Sequence, residues 1–322
     1  MNRRTFAFLM GSLAAAPACA ADWPTKPVRI VVPFAPGGAT DALGRLLAQV
    51  FTNEFKQQFF VENKAGNGGI TGAQEVARAA PDGYTLVLSG VGSPVAAPAM
   101  NPANTPYDPV KDFTHIAMLG GDAVVLVATP SLGAKTLEEV KAKATAGGRP
   151  VTYGTPAVGS LAHLMMENFR KVNSLNLRHV AYRGGGEATT DLLGGHLQLG
   201  LLNFLTVGEQ IKAGSLVPIA ITGPERLKSF PQIPSFAELK HPEMVGTTWF
   251  GLSGPKNMPA DVVEKLSALV RKIVRTPEFQ AKVGGDASVI PDMDVAAFNK
   301  FFAEDVARWA EAAKNAGLRV GG

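Results

Sequence analysis

The chain of 322 residues holds a single cysteine, Cys19. That excludes a disulfide scaffold, a multi-cysteine zinc site and an iron–sulfur cluster. Long hydrophobic runs are also missing. Beyond the first twenty residues no stretch approaches the roughly 18 unbroken apolar residues of a membrane-spanning helix. There is no dense basic block, and a net charge of +4 spread along the chain gives no footing for a nucleic-acid partner. The signatures of common chemistries are absent as well: no phosphate-binding G-x-x-x-x-G-K-[ST], no G-x-S-x-G nucleophile elbow, no H-E-x-x-H. The loop after the first apolar run is Pro36-Gly37-Gly38-Ala39-Thr40, which is not a dinucleotide fingerprint. Ser253-Gly254-Pro255-Lys256 matches S-x-x-K in letters only, because its glycine and proline deny the helical turn that would bring lysine to serine. The five histidines, His115, His163, His179, His196 and His241, include no pair at metal-ligand spacing on one helix. The residues therefore point to no catalytic nucleophile, no metal and no cofactor. What is abundant is apolar side chains, at 46%, with 35 glycines and 23 prolines that follow no collagen-like period. That composition builds a real core joined by many short connections, and the length suits about two domains.

Residues 1–20, MNRRTFAFLMGSLAAAPACA, read as an export signal. Arg3 and Arg4 supply the positive start, Phe6–Ala16 the short apolar segment, and Ala18-Cys19-Ala20 a small-residue cleavage site. Cleavage after Ala20 would remove the only thiol and two positive charges, leaving a net +2 from +4.

The mature part alternates strands and helices. Val28–Phe34 reads as a buried strand, and Thr40 or Asp41 caps a helix carrying Leu43, Leu46, Leu47, Val50 and Phe51 on one face. Strands follow at Phe59–Glu62 and Tyr84–Leu88, with a helix at Ala73–Ala80 between them. Strand, helix, strand, helix, strand is the arithmetic of a parallel sheet. The pattern restarts with strands at Ala123–Ala128, Val151–Tyr153, Arg178–Tyr182, Leu197–Leu202 and Leu216–Ile221. Helices fall at Leu137–Ala144, at Glu187–Leu193 and after Ser160. Two such units suggest two α/β lobes, followed by amphipathic helices around Val262–Ile273 and Asp294–Ala316, the last expected to pack on the first lobe.

Glycines cluster where strands give way to helices: Gly37-Gly38, Gly68-Gly69, Gly159-Ser160 and Gly184-Gly185-Gly186. In open α/β sheets ligands sit beyond the carboxyl ends of the strands, where helix N-termini present unpaired N–H groups and partial positive charge. Any one glycine loop is explained by a tight turn; four across two lobes fit a cleft for a small anion, above all a carboxylate.

The residues resemble those of the substrate-binding proteins of tripartite tricarboxylate transporters, also called Bug-type or TctC-type receptors. The likeness is carried by Trp23–Arg29 (WPTKPVR), Val31–Asp41 (VVPFAPGGATD), Val61–Gly69 (VENKAGNGG) and Ala79–Leu86 (AAPDGYTL). It continues through Tyr107–Phe113 (YDPVKDF), Tyr182–Ala188 (YRGGGEA), Ile211–Gly214 (IKAG) and Trp249–Leu252 (WFGL). This resemblance implies an α/β, two-lobed, periplasmic-binding-protein-like fold of type II, a Venus flytrap. It divides the chain into 21–122 and 226–322 for lobe 1 and 123–225 for lobe 2. It implies a soluble periplasmic receptor, expected as a monomer and not an enzyme, that passes a small organic carboxylate to membrane permease subunits. A dicarboxylate or an aromatic acid are the ligand classes considered. Carried over by position, the ligand-binding residues are Phe34, Gly37, Gly38, Ala39, Thr40, Asp41 and Ser89 from lobe 1. Lobe 2 adds Thr155, Gly159, Ser160, His163, Tyr182, Arg183, Gly184, Gly185 and Asn203. Two departures, Leu202 where many relatives have aspartate and Thr155-Pro156-Ala157-Val158-Gly159 in place of a more polar loop, make this pocket more apolar.

Four of these residues have a second reading from the sequence alone. Asp41 either caps its helix or meets ligand, and His163 is either a site residue or simply a polar position on its helix. Tyr182 is either core or cleft. Arg183 either pairs with Glu187 four residues on or reaches a carboxylate. Two other function classes stay open beside the receptor: a periplasmic enzyme acting on carboxylates, and a ligand sensor for a membrane kinase.

Overall fold

The computed structural model describes residues 23–90, 98, 105–145, 148–283 and 292–316, so the segment read as an export signal lies outside the described residues. The first half is a parallel sheet wrapped by helices. Strands β1 (Val28–Val32), β2 (Phe59–Asn63) and β3 (Thr85–Gly90) pair in the order β2-β1-β3. Helices α1 (Ala39–Phe55) and α2 (Ile70–Ala77) are the crossovers. The strand period of two sends Val28, Ile30 and Val32 into one core with Leu43, Leu47 and Phe51 of α1. It sends Val31 into another with Ile70, Ala73 and Val76 of α2. Both faces are thus buried, as a parallel sheet requires. The first strand stops at Val32, two residues short of the sequence reading, where Pro33 removes a donor from the ladder. Helix α2 starts three residues early, directly after the glycine turn Asn67–Gly69.

Two strands tie the halves together. Strand β4 (Phe113–Ala128) runs for 16 residues, of which the sequence pattern revealed only the last six. Strand β9 (Thr247–Pro255) pairs antiparallel with both β3 and β4. The β4–β9 register slips between His115 and Ala117 and again between Met118 and Gly120, and Gly120 has φ +138°. Such bulges bend a strand, and here they sit between the halves of the molecule.

The second half carries β5 (Val151–Gly154), β6 (Leu177–Val180), β7 (Leu199–Asn203) and β8 (Val217–Ile221). Strands β6, β5 and β7 are parallel, and the far end of β4 pairs antiparallel with β7 and β8. Helices α3 (Leu137–Thr145), α4 (Leu161–Val172), α5 (Gly185–Leu193) and α6 (Phe204–Lys212) cover it. Alternation again divides β4: Val124 and Leu126 join one core, Val125 and Val127 the other. The fold is α/β and two-lobed.

The C-terminal third is distributed between the lobes. Leu227, Phe230 and Ile233 pack with Phe204 and Val207 of the second lobe, although the sequence reading began the return to lobe 1 at 226. Helix α7 (Ala260–Ile273) fills the first-lobe core through Val262, Leu266 and Val270, and the short α8 (Pro277–Lys282) follows it. Helix α9 (Val295–Ala316) lies along the crossover strands; Phe298 and Phe302 join the core that reaches into the second lobe, while Val295 packs against the first-lobe core. Phe302 stacks on His115 at 3.6 Å, and Trp249 Nε1 donates to Asp305 Oδ2 at 2.9 Å. The Trp249 N–H and the Asn299 Nδ2 bond to the His115 carbonyl at 3.0 Å fix the helix on β9 and β4.

Candidate functional site

Three of the four glycine loops converge between the lobes; Gly68-Gly69 leads instead into α2. Gly37, in the left-handed region at φ +86°, turns the chain out of β1, and Gly38 then serves as the N-cap of α1. Across the gap Gly184 starts α5. The lobes touch here. Ala35 N–H donates to the Arg183 carbonyl at 2.9 Å, and a Cβ added at Gly38 would lie 3.3 Å from Gly185 N. A Cβ at Gly186 would fall 2.9 Å from both the Pro36 oxygen and the Gly37 carbonyl carbon. Only glycine allows two backbones to come this close.

Behind this contact is a cleft of roughly 680 Å³ including its open mouth. Its walls take in Phe34, Gly38, Ala39, Thr40, Asp41, Ser89, Ser160, Gly185 and Asn203 from the sequence reading. They also include Leu88, Gly90, Val124, Pro156, Leu161, Ala162, Thr206, Thr248, Trp249 and Phe250, which that reading did not name as site residues. The first turns of α1, α4, α5 and α6 all face it. The N-cap residues of α1, α5 and α6 make no side-chain cap bond; Leu205 N–H of α6 is taken by Asp122, while the leading N–H groups of α1 and α5 are left for a ligand. Ser160 caps α4, accepting from His163 N–H at 3.2 Å.

Among the described residues Asp41 is the one charged side chain on the wall, and its carboxylate is fully engaged. It accepts from Gly37 N–H at 3.0 Å, from Arg45 Nε at 3.0 Å and from Asn63 Nδ2 at 2.9 Å. Burial alone would raise its pKa, but hydrogen bonds from Arg45, Gly37 and Asn63 outweigh that and hold it below the usual carboxylate range. Asp41 braces the loop from inside the first turn but does not cap α1, because helix formation begins at Ala39 and Gly38 is the N-cap; this corrects the expectation that Thr40 or Asp41 caps the helix. Asn203 stands at the N-cap of α6, yet its Nδ2 donates to Thr248 Oγ1 at 2.7 Å, which in turn donates to the Asp122 carbonyl at 3.0 Å. Buried Asp122 meets the start of α6 from behind, accepting from Leu205 N–H at 3.3 Å, and burial pushes its pKa up to about 8.

Seven named residues do not line the cleft, each for a local reason. Gly37 and Gly184 form the mouth contact. Gly159 makes a left-handed turn at φ +84° and donates its N–H to His163 Nδ1 at 3.1 Å. His163 stacks on His179 with ring centres 4.1 Å apart, and Thr155 pairs through Oγ1 with His179 Nε2 at 3.0 Å. Burial lowers both histidines, His179 to about 4, so both rings are neutral. Tyr182 donates to Asp191 at 2.7 Å. Arg183 turns outward and pairs with Glu187 at 2.8 Å.

The walls missed from sequence come from strand ends and first helical turns. Thr206 was findable as the third residue after the N-cap Asn203. Thr248, Trp249 and Phe250 depend on where β9 inserts, which no local pattern reports.

A model of the tripartite tricarboxylate transporter family receptor, TctC, matches residues 43–318. Protein BugT of Bordetella pertussis is 32% identical over 317 residues, 97% of this chain and 96% of that one. Among solved structures, the periplasmic binding protein BugD superposes with a TM-score of 0.86 at 28% identity, covering 92% of this chain and 99% of that chain. An R. palustris protein solved with adipate gives 0.87 at 28%, with the same coverage. MatC from Rhodopseudomonas palustris, with bound malate, gives 0.83 at 27%, covering 90% and 100%. Among the described residues no helix is long and apolar enough to cross a membrane. With its two lobes, its cleft of helix N-termini and these likenesses, the chain belongs to the tripartite tricarboxylate transporter receptor family.

Proposed function

We propose that this protein is a periplasmic solute receptor that closes on a small organic carboxylate and hands it, unaltered, to the membrane permease of a tripartite tricarboxylate transporter. One observation carries the reading: four helix N-termini, two of them with no side-chain acceptor, open on a cleft whose single charged wall residue among those described is already saturated. An acid entering it would be met by backbone N–H groups and by the hydroxyls of Thr40, Ser160, Thr206 and Thr248, with Phe34, Leu88, Trp249 and Phe250 against its hydrocarbon part. The adipate and malate bound by two structural relatives support this ligand class. The mouth contact between the two glycine loops is the closed state such a receptor would use to retain its ligand. Export by residues 1–20 completes the reading.

Calorimetry of the secreted chain against mono-, di- and tricarboxylates, with product analysis by mass spectrometry, tests it. One-to-one binding with no conversion is expected. Steady turnover of a bound acid, or failure of every acid to bind, overturns it. The mature N-terminus is expected at Ala21, read by mass spectrometry of the intact chain.

A further inference from the structure

Beneath the second-lobe rim two imidazoles lie face to face. His163 of α4 and His179 of β6 have ring centres 4.1 Å apart, and both residues are only half-buried. Each holds one end of the loop 155–160. His179 Nε2 is 3.0 Å from Thr155 Oγ1 at its start, and His163 Nδ1 is 3.1 Å from Gly159 N near its end. That loop sets Pro156 and Ser160 on the cleft wall, and α4 continues the wall with Leu161 and Ala162.

The bond to Gly159 runs one way only. A backbone N–H can only donate, so Nδ1 of His163 accepts and the proton of the neutral ring sits on Nε2. Nδ1 is then the one site on the ring where a further proton can go. A protonated His163 would confront the Gly159 N–H with a second N–H, so the charged ring and the bond exclude each other. The surroundings carry few other charges. Glu167, one turn on along α4, favours a proton on His163, but its carboxylate is already held by Arg170 at 2.8 Å and by Tyr153 Oη at 2.5 Å. Tyr153 of β5 faces His179 with ring centres 5.0 Å apart. Arg178, beside His179 on β6, is exposed, and β7 brings no ionisable side chain. His241 packs edge-on against Phe169 farther along α4 and pairs with Glu243 at 2.9 Å. Burial lowers the pKa of both imidazoles, His179 the further, to about 4, so the first proton goes to His163.

We propose that His163 couples the receptor's hold on its ligand to acidity: a proton on Nδ1 expels the Gly159 N–H, frees loop 155–160 from its anchor and weakens the grip on the bound carboxylate. This rests on the carboxylate reading and adds a control to it. Retention is full above the pKa of His163 and weakens as pH falls through it. The coupling runs both ways, so bound acid must also make His163 harder to protonate.

The test is calorimetry on the mature chain with malate, adipate and benzoate at about pH 7.5 and about pH 5. Each acid that binds is expected to bind about tenfold more weakly at the lower pH, as the loss of one hydrogen bond allows. His163→Asn offers Gly159 an amide oxygen in place of Nδ1 and cannot take a proton. It should bind as the unmodified chain does at the higher pH and lose no more than about twofold on acidification. The acid's own titration is common to both chains and cancels. By NMR, the pKa of His163 in the unmodified chain should drop by about one pH unit on saturation with acid. That measurement decides if His163→Asn fails to show a cooperative unfolding transition. Affinity that responds to pH alike in both chains, or a His163 that titrates alike with and without acid, overturns the coupling and leaves the carboxylate reading standing. If none of the acids binds at either pH, both readings fall together.

Discussion

The two sides of the cleft mouth are stiffened by opposite chemistry. On the first lobe, the loop before α1 hangs on an ionised group, Asp41, which gathers Gly37, Arg45 and Asn63. On the second lobe, the loop 155–160 rests on two uncharged rings, His163 and His179, stacked against each other and holding Gly159 and Thr155. A carboxylate with a depressed pKa keeps its charge well into acid, whereas a neutral imidazole is lost as protons arrive. The comparison teaches that one receptor can present the same kind of ligand-facing backbone from a rim that tolerates acid and from one that does not.

Acid gives the largest test of that contrast. His115 and His179 have pKa values lowered to about 4 and His163 is lowered too, so the unfolded chain binds protons the folded chain refuses. Stability is present above about pH 6.5 and falls as pH drops toward 4, with His115 alone contributing a slope near 1.4 kcal/mol per pH unit. Asp122 acts in the reverse sense. Its raised pKa makes the folded chain hold a proton the unfolded chain has released, so this contribution declines as pH rises from about 4 through about 8. The histidines outnumber it below 6.5, and urea unfolding is expected to show greatest stability near pH 6.5, with Asp122→Asn flattening the alkaline side. Amide exchange, corrected for its intrinsic rate, should loosen loop 155–163 before loop 37–45 on acidification; simultaneous loosening would erase the contrast.

Substitution sharpens it. Asp41→Ala leaves Gly37 N–H without its acceptor and takes one of two from Asn63 Nδ2 and from Arg45, and is expected to cost about 2 kcal/mol in urea unfolding. Gly186→Ala interferes only where the rims meet. Its added methyl collides with the backbone of Pro36 and Gly37, so affinity for any bound acid should drop about tenfold (~1.4 kcal/mol) while the unliganded chain melts nearly as before. His163→Leu removes a single neutral acceptor, that of Gly159 N–H, and should cost only about 1 kcal/mol. If His163→Leu proves as damaging as Asp41→Ala, the two rims are not built differently after all.

Much of the first lobe could be read from residue order because its signals are local. Val28–Val32 is β-branched, α1 repeats its apolar face every three or four residues, and the glycines announce each strand-to-helix turn. What could not be read came from pairing at a distance. Gly120-Gly121-Asp122 precedes the strand read at Ala123–Ala128, yet it lies inside β4, paired with Thr248, Trp249 and Phe250 of β9. Asp41 and Arg183 each had two readings, and side-chain geometry assigned both to internal partners. Thr248 and Trp249 reach the cleft because β9 enters between β3 and β4, and nothing near them in the chain records that.

The position of β9 also has a bearing on how the polypeptide becomes a receptor. Its residues 247–255 supply, among the described residues, the only ladder joining β3 to β4, so until more than three-quarters of the chain exists the first sheet lacks its middle. Contacts of such long sequence separation form late and slowly. A nascent chain of this design stays open until its final third arrives, and any product ending before Thr247 would leave two bare strand borders available for aggregation.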